Sequence, residues 1–129
     1  MAAIGMQKVT GWSFDEALAR IPELLKAEGF GVLTEIDVKG TLKQKLGVDF
    51  RRYRILGACN PSLAHQALSA VTEIGALLPC NVVVYERDDG KAMVVAVDPM
   101  QTIAAAEPKL SPIAQEVRGR LARVLERIG

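Results

Sequence analysis

Val82-Val83-Val84-Tyr85 and Met93-Val94-Val95-Ala96-Val97, separated by Arg87-Asp88-Asp89-Gly90, decide the fold. Both runs are short and β-branched, and the Asp-Gly between them is a turn signal that reverses the chain within a hairpin. Two antiparallel strands are therefore expected here. Upstream, Tyr53, Ile55, Gly57 and Cys59 alternate with Arg52, Arg54, Leu56 and Ala58, which reads as another strand. That alternation places Cys59 with the apolar Tyr53 and Ile55, so its thiol is expected to be at least partly buried. Phe30, Val32, Thr34, Ile36 and Val38 share one face of a further strand, with Glu35 and Asp37 on the other, wet face. A short first strand is expected around Met6 to Val9.

Helices fill the intervals. Ser13-Phe14-Asp15-Glu16 has the form of a capping box, and Phe14, Ala17, Leu18, Ile21, Leu24 and Leu25 then recur at the helical period up to Gly29. Pro22 lies inside this helix on its polar flank, where it favours a kink over two separate helices. Gly40 to Leu46 reads as a short amphipathic turn of helix. Asn60 followed by Pro61 is a cap-and-start pair, with Leu63, Ala64, Ala67, Leu68 and Val71 as the buried stripe. Ser111-Pro112 opens a last helix whose Ile113, Val117, Leu121, Val124, Leu125 and Ile128 form one stripe. Helices that each bury one face against a mainly antiparallel sheet give a two-layer α+β fold.

The 129 residues have the length of a single domain, residues 1–129, with one core. Half of them are hydrophobic but only 5% aromatic, so Ala, Val, Leu and Ile must build that core. A net charge of +1 supplies no long-range field toward nucleic acid or an anionic membrane, and neither partner is expected. Lys39, Lys43, Lys45, Arg51, Arg52 and Arg54 form a basic cluster, but without the interleaved aromatics of a single-strand binder they read as a solvated charge run. No long apolar span is present, and Met1 to Lys8 lacks the basic-then-apolar pattern of a leader. A soluble cytoplasmic protein is the expectation, and in that compartment two cysteines are more often free thiols than a disulfide.

The two cysteines, Cys59 and Cys80, are the best candidates for chemistry. Each lies at an element boundary beside a proline motif, Cys59-Asn60-Pro61 and Leu77-Leu78-Pro79-Cys80. A helix from Pro61 to about Val71 advances roughly 16 Å, and residues 72–79 can return by up to roughly 26 Å, so the chain can come back to the end it left. Cys59, Asn60, Pro61, Pro79 and Cys80 are then expected on one rim, with Asp98 closing it from the end of the following strand. Such a rim could bind a small ligand, a metal or a redox partner; equally, the caps and turns explain these residues without any ligand. Two thiols are too few for a closed zinc site, so a metal would need His65, Asp98 or a second subunit, and His65 sits toward the polar side of its helix. No Cys-x-x-Cys or Cys-His frame is present. Cys59, just before a helix N-terminus, should be the more reactive thiol, while burial should raise the pKa of Cys80. The residues name no cofactor and no reaction, and a cysteine-dependent enzyme and a non-catalytic interaction module both stay open.

Tyr53-Arg54-Ile55-Leu56-Gly57-Ala58-Cys59-Asn60-Pro61, followed by Leu77-Leu78-Pro79-Cys80-Asn81-Val82-Val83-Val84-Tyr85, resembles the family called domain of unknown function 302. Gly29-Phe30-Gly31-Val32-Leu33-Thr34-Glu35-Ile36-Asp37 and Val97-Asp98-Pro99 extend the resemblance, which runs from about Ser13 to Pro99. It implies an architecture similar to the TATA-binding-protein-like two-layer fold and a homodimer. It implies no activity.

Overall fold

A computed structural model describes residues 3–129; Met1 and Ala2, part of the start read above for a leader, lie outside the described residues. The chain runs β1 (Met6–Ser13), α1 (Phe14–Ala27), β2 (Gly31–Asp37), α2 (Val38–Leu46), β3 (Tyr53–Cys59), α3 (Pro61–Ala70), β4 (Cys80–Glu86), β5 (Lys91–Ala96) and α4 (Ser111–Glu126). Short 3-10 turns occupy Thr72–Leu77, Pro99–Gln101 and Ile103–Ala105. The five strands form one antiparallel sheet in the order β1-β5-β4-β3-β2, the two-layer α+β arrangement expected. Among the described residues no helix is long and apolar enough to cross a membrane.

The hairpin forms as read. Arg87 N–H donates to the Lys91 carbonyl at 2.8 Å, and Gly90 adopts φ +82°, a conformation that glycine reaches without steric cost. Ser13 caps α1 by accepting from the Glu16 N–H at 3.1 Å, and a single helix carries through Pro22. Gly29, at φ +85°, ends it.

One face of the sheet makes the core. Leu56, Ala58, Val82, Val84, Ala92, Val94 and Ala96 are all at most 2% exposed. They pack against Phe14, Ala17, Ile21 and Leu25 of α1, Leu63 of α3 and Leu121 and Val124 of α4. In β3 this corrects the expected phase: the buried side is Leu56 and Ala58, and Cys59 falls in the alternate register with Tyr53 and Ile55. Cys59 is half-buried all the same, because it ends the strand where α3 begins.

β2 also departs from strict alternation. Val32 pairs with Ala58 but Thr34 pairs with Gly57, so Leu33 is the extra residue of a bulge and the two halves of the strand have opposite phase. The expected single face from Phe30 to Val38 is therefore split. Val38 belongs to α2, whose cap is Asp37, accepting from the Gly40 N–H at 3.0 Å. Glu35 and Asp37 do share a face, and both meet Arg54, at 2.9 and 3.7 Å. Three more of the basic cluster are paired with acids, Lys43 with Asp49, Arg51 with Asp88 and Arg52 with Asp15 and Glu86, and Lys39 donates to the Phe50 carbonyl at 2.9 Å.

The stripe of α4 is shifted by one position from the sequence reading at its start, where Ala114 is buried and Ile113 only partly so. Leu121, at its centre, is fully buried. Leu121→Ala should destabilise the protein by about 2 to 5 kcal/mol, since the lost contacts and the void both count against the folded state. Urea melts check this, and a loss below about 0.5 kcal/mol, the range of surface substitutions, would contradict the packing described.

Candidate functional site

The site begins with the β3–β4 register. Ala58 pairs with Cys80, so Cys59 is one residue beyond a directly opposed pair, and the Cα atoms of the two cysteines are within about 10 Å. The Thr72–Leu77 turn brings the chain back from the end of α3 to the start of β4. Both cysteines are half-buried free thiols. The Leu78-Pro79 peptide is cis, and the Pro79 ring lies over Gly57, where an added Cβ would come within 2.8 Å of it.

Asn60 caps α3. Its Oδ1 accepts from the Leu63 N–H at 3.2 Å and its Nδ2 donates to the Glu28 carbonyl at 3.4 Å. Pro61 occupies the first turn, exposed, and does not line the cleft described next. Both readings of this motif as a helix start hold.

Beneath the rim lies a partly open cleft of about 80 Å³. Ala58, Cys59, Pro79 and Cys80 line it from the sheet, Leu63 and Ala67 from α3, and Ile113 and Val117 from α4. Thr102, Ala104 and Leu110, from the segment between β5 and α4, complete it. Its walls are predominantly apolar. Asn60 uses its side chain on backbone groups, and so does Thr102, which donates to the Pro99 carbonyl at 2.6 Å and accepts from the Ala104 N–H. The two thiols are thus the lining side chains with polar atoms left to offer a ligand.

Asp98 does not join them. It is buried, accepts from the Met100 N–H at 2.9 Å and pairs with Arg118 at 3.0 Å, beside a separate shallow depression lined by Gln101, Gln115 and Gly119. The structure thus brings Cys59, Asn60, Pro79 and Cys80 to one cleft and leaves Pro61 and Asp98 outside it. His65 is exposed on α3 and is not part of the lining. Among the described residues no group of three or more His, Cys, Asp or Glu side chains is placed to hold a metal.

The sequence reading missed the wall from residues 99–110 entirely. Its only local signals are Asp98 and Thr102, each capping a short 3-10 turn through its side chain.

The family described as Domain of unknown function DUF302 matches residues 6–128. This chain belongs to that family. The match takes in β1 and α4, so the family extends past the Ser13 to Pro99 limits of the motifs. A protein of Aquifex aeolicus (strain VF5), described as uncharacterized, is 27% identical over 111 residues, 86% of this chain and 71% of that protein. The crystal structure of an uncharacterized conserved DUF302 protein from Bacillus stearothermophilus is similar with a TM-score of 0.90 and 33% identity, over 99% of this chain and 100% of the other. Neither description names an activity.

Burial, and next the charge of neighbouring Cys59, push the Cys80 thiol up from 9.0 to about 11. The folded state therefore holds the Cys80 proton more tightly than the unfolded chain. Its contribution to stability is complete below about pH 9 and is lost as pH rises toward about 11. Wild type should lose stability more steeply across that window than Cys80→Ser, which has no thiol to titrate there. Urea melts at a series of pH values test this, and parallel slopes for the two proteins would contradict it.

Proposed function

We propose that this protein is a homodimeric domain that binds a small apolar ligand in the cleft beneath the Cys59–Cys80 rim. The observation that carries the proposal is the lining: a pre-formed apolar recess whose few convergent polar side-chain groups are two free thiols and already engaged caps. An apolar cavity of about 150 Å³ stays dry and accepts benzene, so the smaller space here suits a short aliphatic chain or one edge of an aromatic ring. Burial of that group supplies the affinity, and a neutral thiol supplies a weak donor at the mouth. The proposal includes a cytoplasmic setting, in which both thiols stay reduced.

The raised pKa of Cys80 favours binding over thiol catalysis, since nucleophilic attack needs the thiolate. Within the same cleft, Cys80 acts as a packed wall and Cys59 as the group nearer the α3 start.

Toluene serves as the probe. Wild type should bind it saturably by calorimetry, and Ala64→Phe, which places a ring in the cleft from α3, should weaken binding at least about tenfold, equivalent to about 1.4 kcal/mol. Its melting temperature should stay level or rise. Cys80→Ser should retain binding, because the walls remain. Absence of saturable binding to wild type, together with native mass spectra free of any retained small molecule, would overturn the ligand assignment.

A further inference from the structure

The face of the sheet opposite α1, α3 and α4 carries two apolar cross-strand rows. In the first, Val9, Met93, Tyr85 and Tyr53 stand opposite one another in register across β1, β5, β4 and β3. In the second, Val95, Val83, Ile55 and Ile36 do so across β5, β4, β3 and β2. None of the eight is buried, whereas Leu56, Val82, Val84, Ala92, Val94 and Ala96, next to them on the core face, are at most 2% exposed. An antiparallel sheet with one wet face alternates apolar with polar residues; this one is apolar on both sides. Polar residues border these rows: Gln7, opposite Val95, ends the second row on β1, and Thr34 and Asn81 flank Gly57 in the row after it.

No charged side chain belongs to either row. Tyr53 stacks on Tyr85 with centroids 5.6 Å apart and planes within 6°, Met93 pairs with Tyr85, and the Arg51 guanidinium lies 5.8 Å from the Tyr85 ring. Tyrosine, methionine and arginine around a charge-free centre are the composition of the middle of a protein interface.

The first row continues off the sheet. Phe50 lies 6.0 Å from Tyr53, in the segment joining α2 to β3, where Val48 and Phe50 are 44% and 41% exposed, and Leu46, the last residue of α2, is 68% exposed. α2 itself has no buried residue. A nine-residue helix is too short to be stable alone, and its own chain gives it little cover.

We infer that this face is the surface on which a second copy of the chain docks, with the segment after α2 of each protomer completing the contact. This rests on the homodimeric part of the function proposed above and is independent of the cleft. Strands about 4.8 Å apart make the two rows a strip on the order of 300 to 400 Å². A standard interface covers roughly 800 Å² per partner, so the strip forms the centre and the exposed side chains after α2 supply the surround. A charge-free strip meets its own copy without like-charge repulsion, and one patch facing itself closes a two-fold dimer. A different partner would be expected to be selected by charge, and the strip offers none.

Val83→Glu puts a carboxylate at the centre of the strip and leaves the core face untouched. In sedimentation over a concentration series, wild type should be a dimer and Val83→Glu should dissociate at least about 100-fold more readily, with an unchanged circular dichroism spectrum. Met93→Lys, in the other row, should do the same. Hydroxyl-radical labelling of wild type needs no variant: Tyr53, Tyr85 and Met93 should be protected in the dimer and labelled on dilution. A wild-type dimer that persists in both folded variants, with no such protection, would overturn this face while leaving the homodimer intact. In that case loss of the dimer in Thr34→Pro would assign the contact to the β2 edge. A wild type that is monomeric at every concentration would overturn both.

Discussion

Glu28 and Asn60 tie the helical layer together at one point. The Glu28 carbonyl, at the end of α1, accepts from Asn60 at the start of α3 and from Arg120 of α4 at 3.0 Å. The buried Glu28 carboxylate meets Arg123 at 3.0 Å and Arg127 at 3.6 Å. Three helices are thus joined through one residue whose charge and carbonyl are each satisfied by two partners. Gly29 makes the approach possible: an added Cβ there would come within 2.9 Å of the Asn60 amide. Asn60 is therefore less a ligand residue than the fastener that sets α3 against the sheet.

The cleft follows from that fastening. α3 is held beside α1 at its N-terminus, while at the far side small residues, Ala67, Ala104 and Ala114, with Ile74 and Leu110, form a second, smaller core. Small side chains between two cores leave space that larger ones would fill, and the Cys59–Cys80 rim lies over that space. The raised pKa of Cys80 expresses the same low-polarity surroundings.

Local periodicity made much of this legible. The hairpin, the Ser13 and Asn60 caps and the stripe of α4 all follow from spacings within a few residues, and the return from Cys59 to Cys80 follows from chain length. What escaped depends on partners far along the chain. The phase of β3 could not be read from its own residues, because Tyr53 and Ile55 are as apolar as Leu56 and Ala58; only the helices decide which pair is covered. The Leu33 bulge is fixed by pairing with β3, and the wall from residues 99–110 by packing on α4. Asp98 was drawn to the rim by its place after a strand, but Arg118, twenty residues on, holds it elsewhere. The continuous apolar runs of β4 and β5 did contain the signal of two apolar faces, since Val82-Val83-Val84-Tyr85 and Met93-Val94-Val95-Ala96 leave no polar side.

The sheet order has a consequence for synthesis. β2 to β5 pair in sequence order, β2 with β3, β3 with β4 and β4 with β5, but β1 pairs with β5, Met6 opposite Ala96, about 90 residues away. Closing so long a loop costs on the order of 2 to 3 kcal/mol more than closing a hairpin of a few residues. On the ribosome β1 is the first strand to emerge and its pairing edge is among the last to be made. Its Lys8, together with the polar Gln7 and Thr10, keeps that waiting segment from being a purely apolar edge, which is the safeguard an unpaired strand needs while the rest of the chain is still being added.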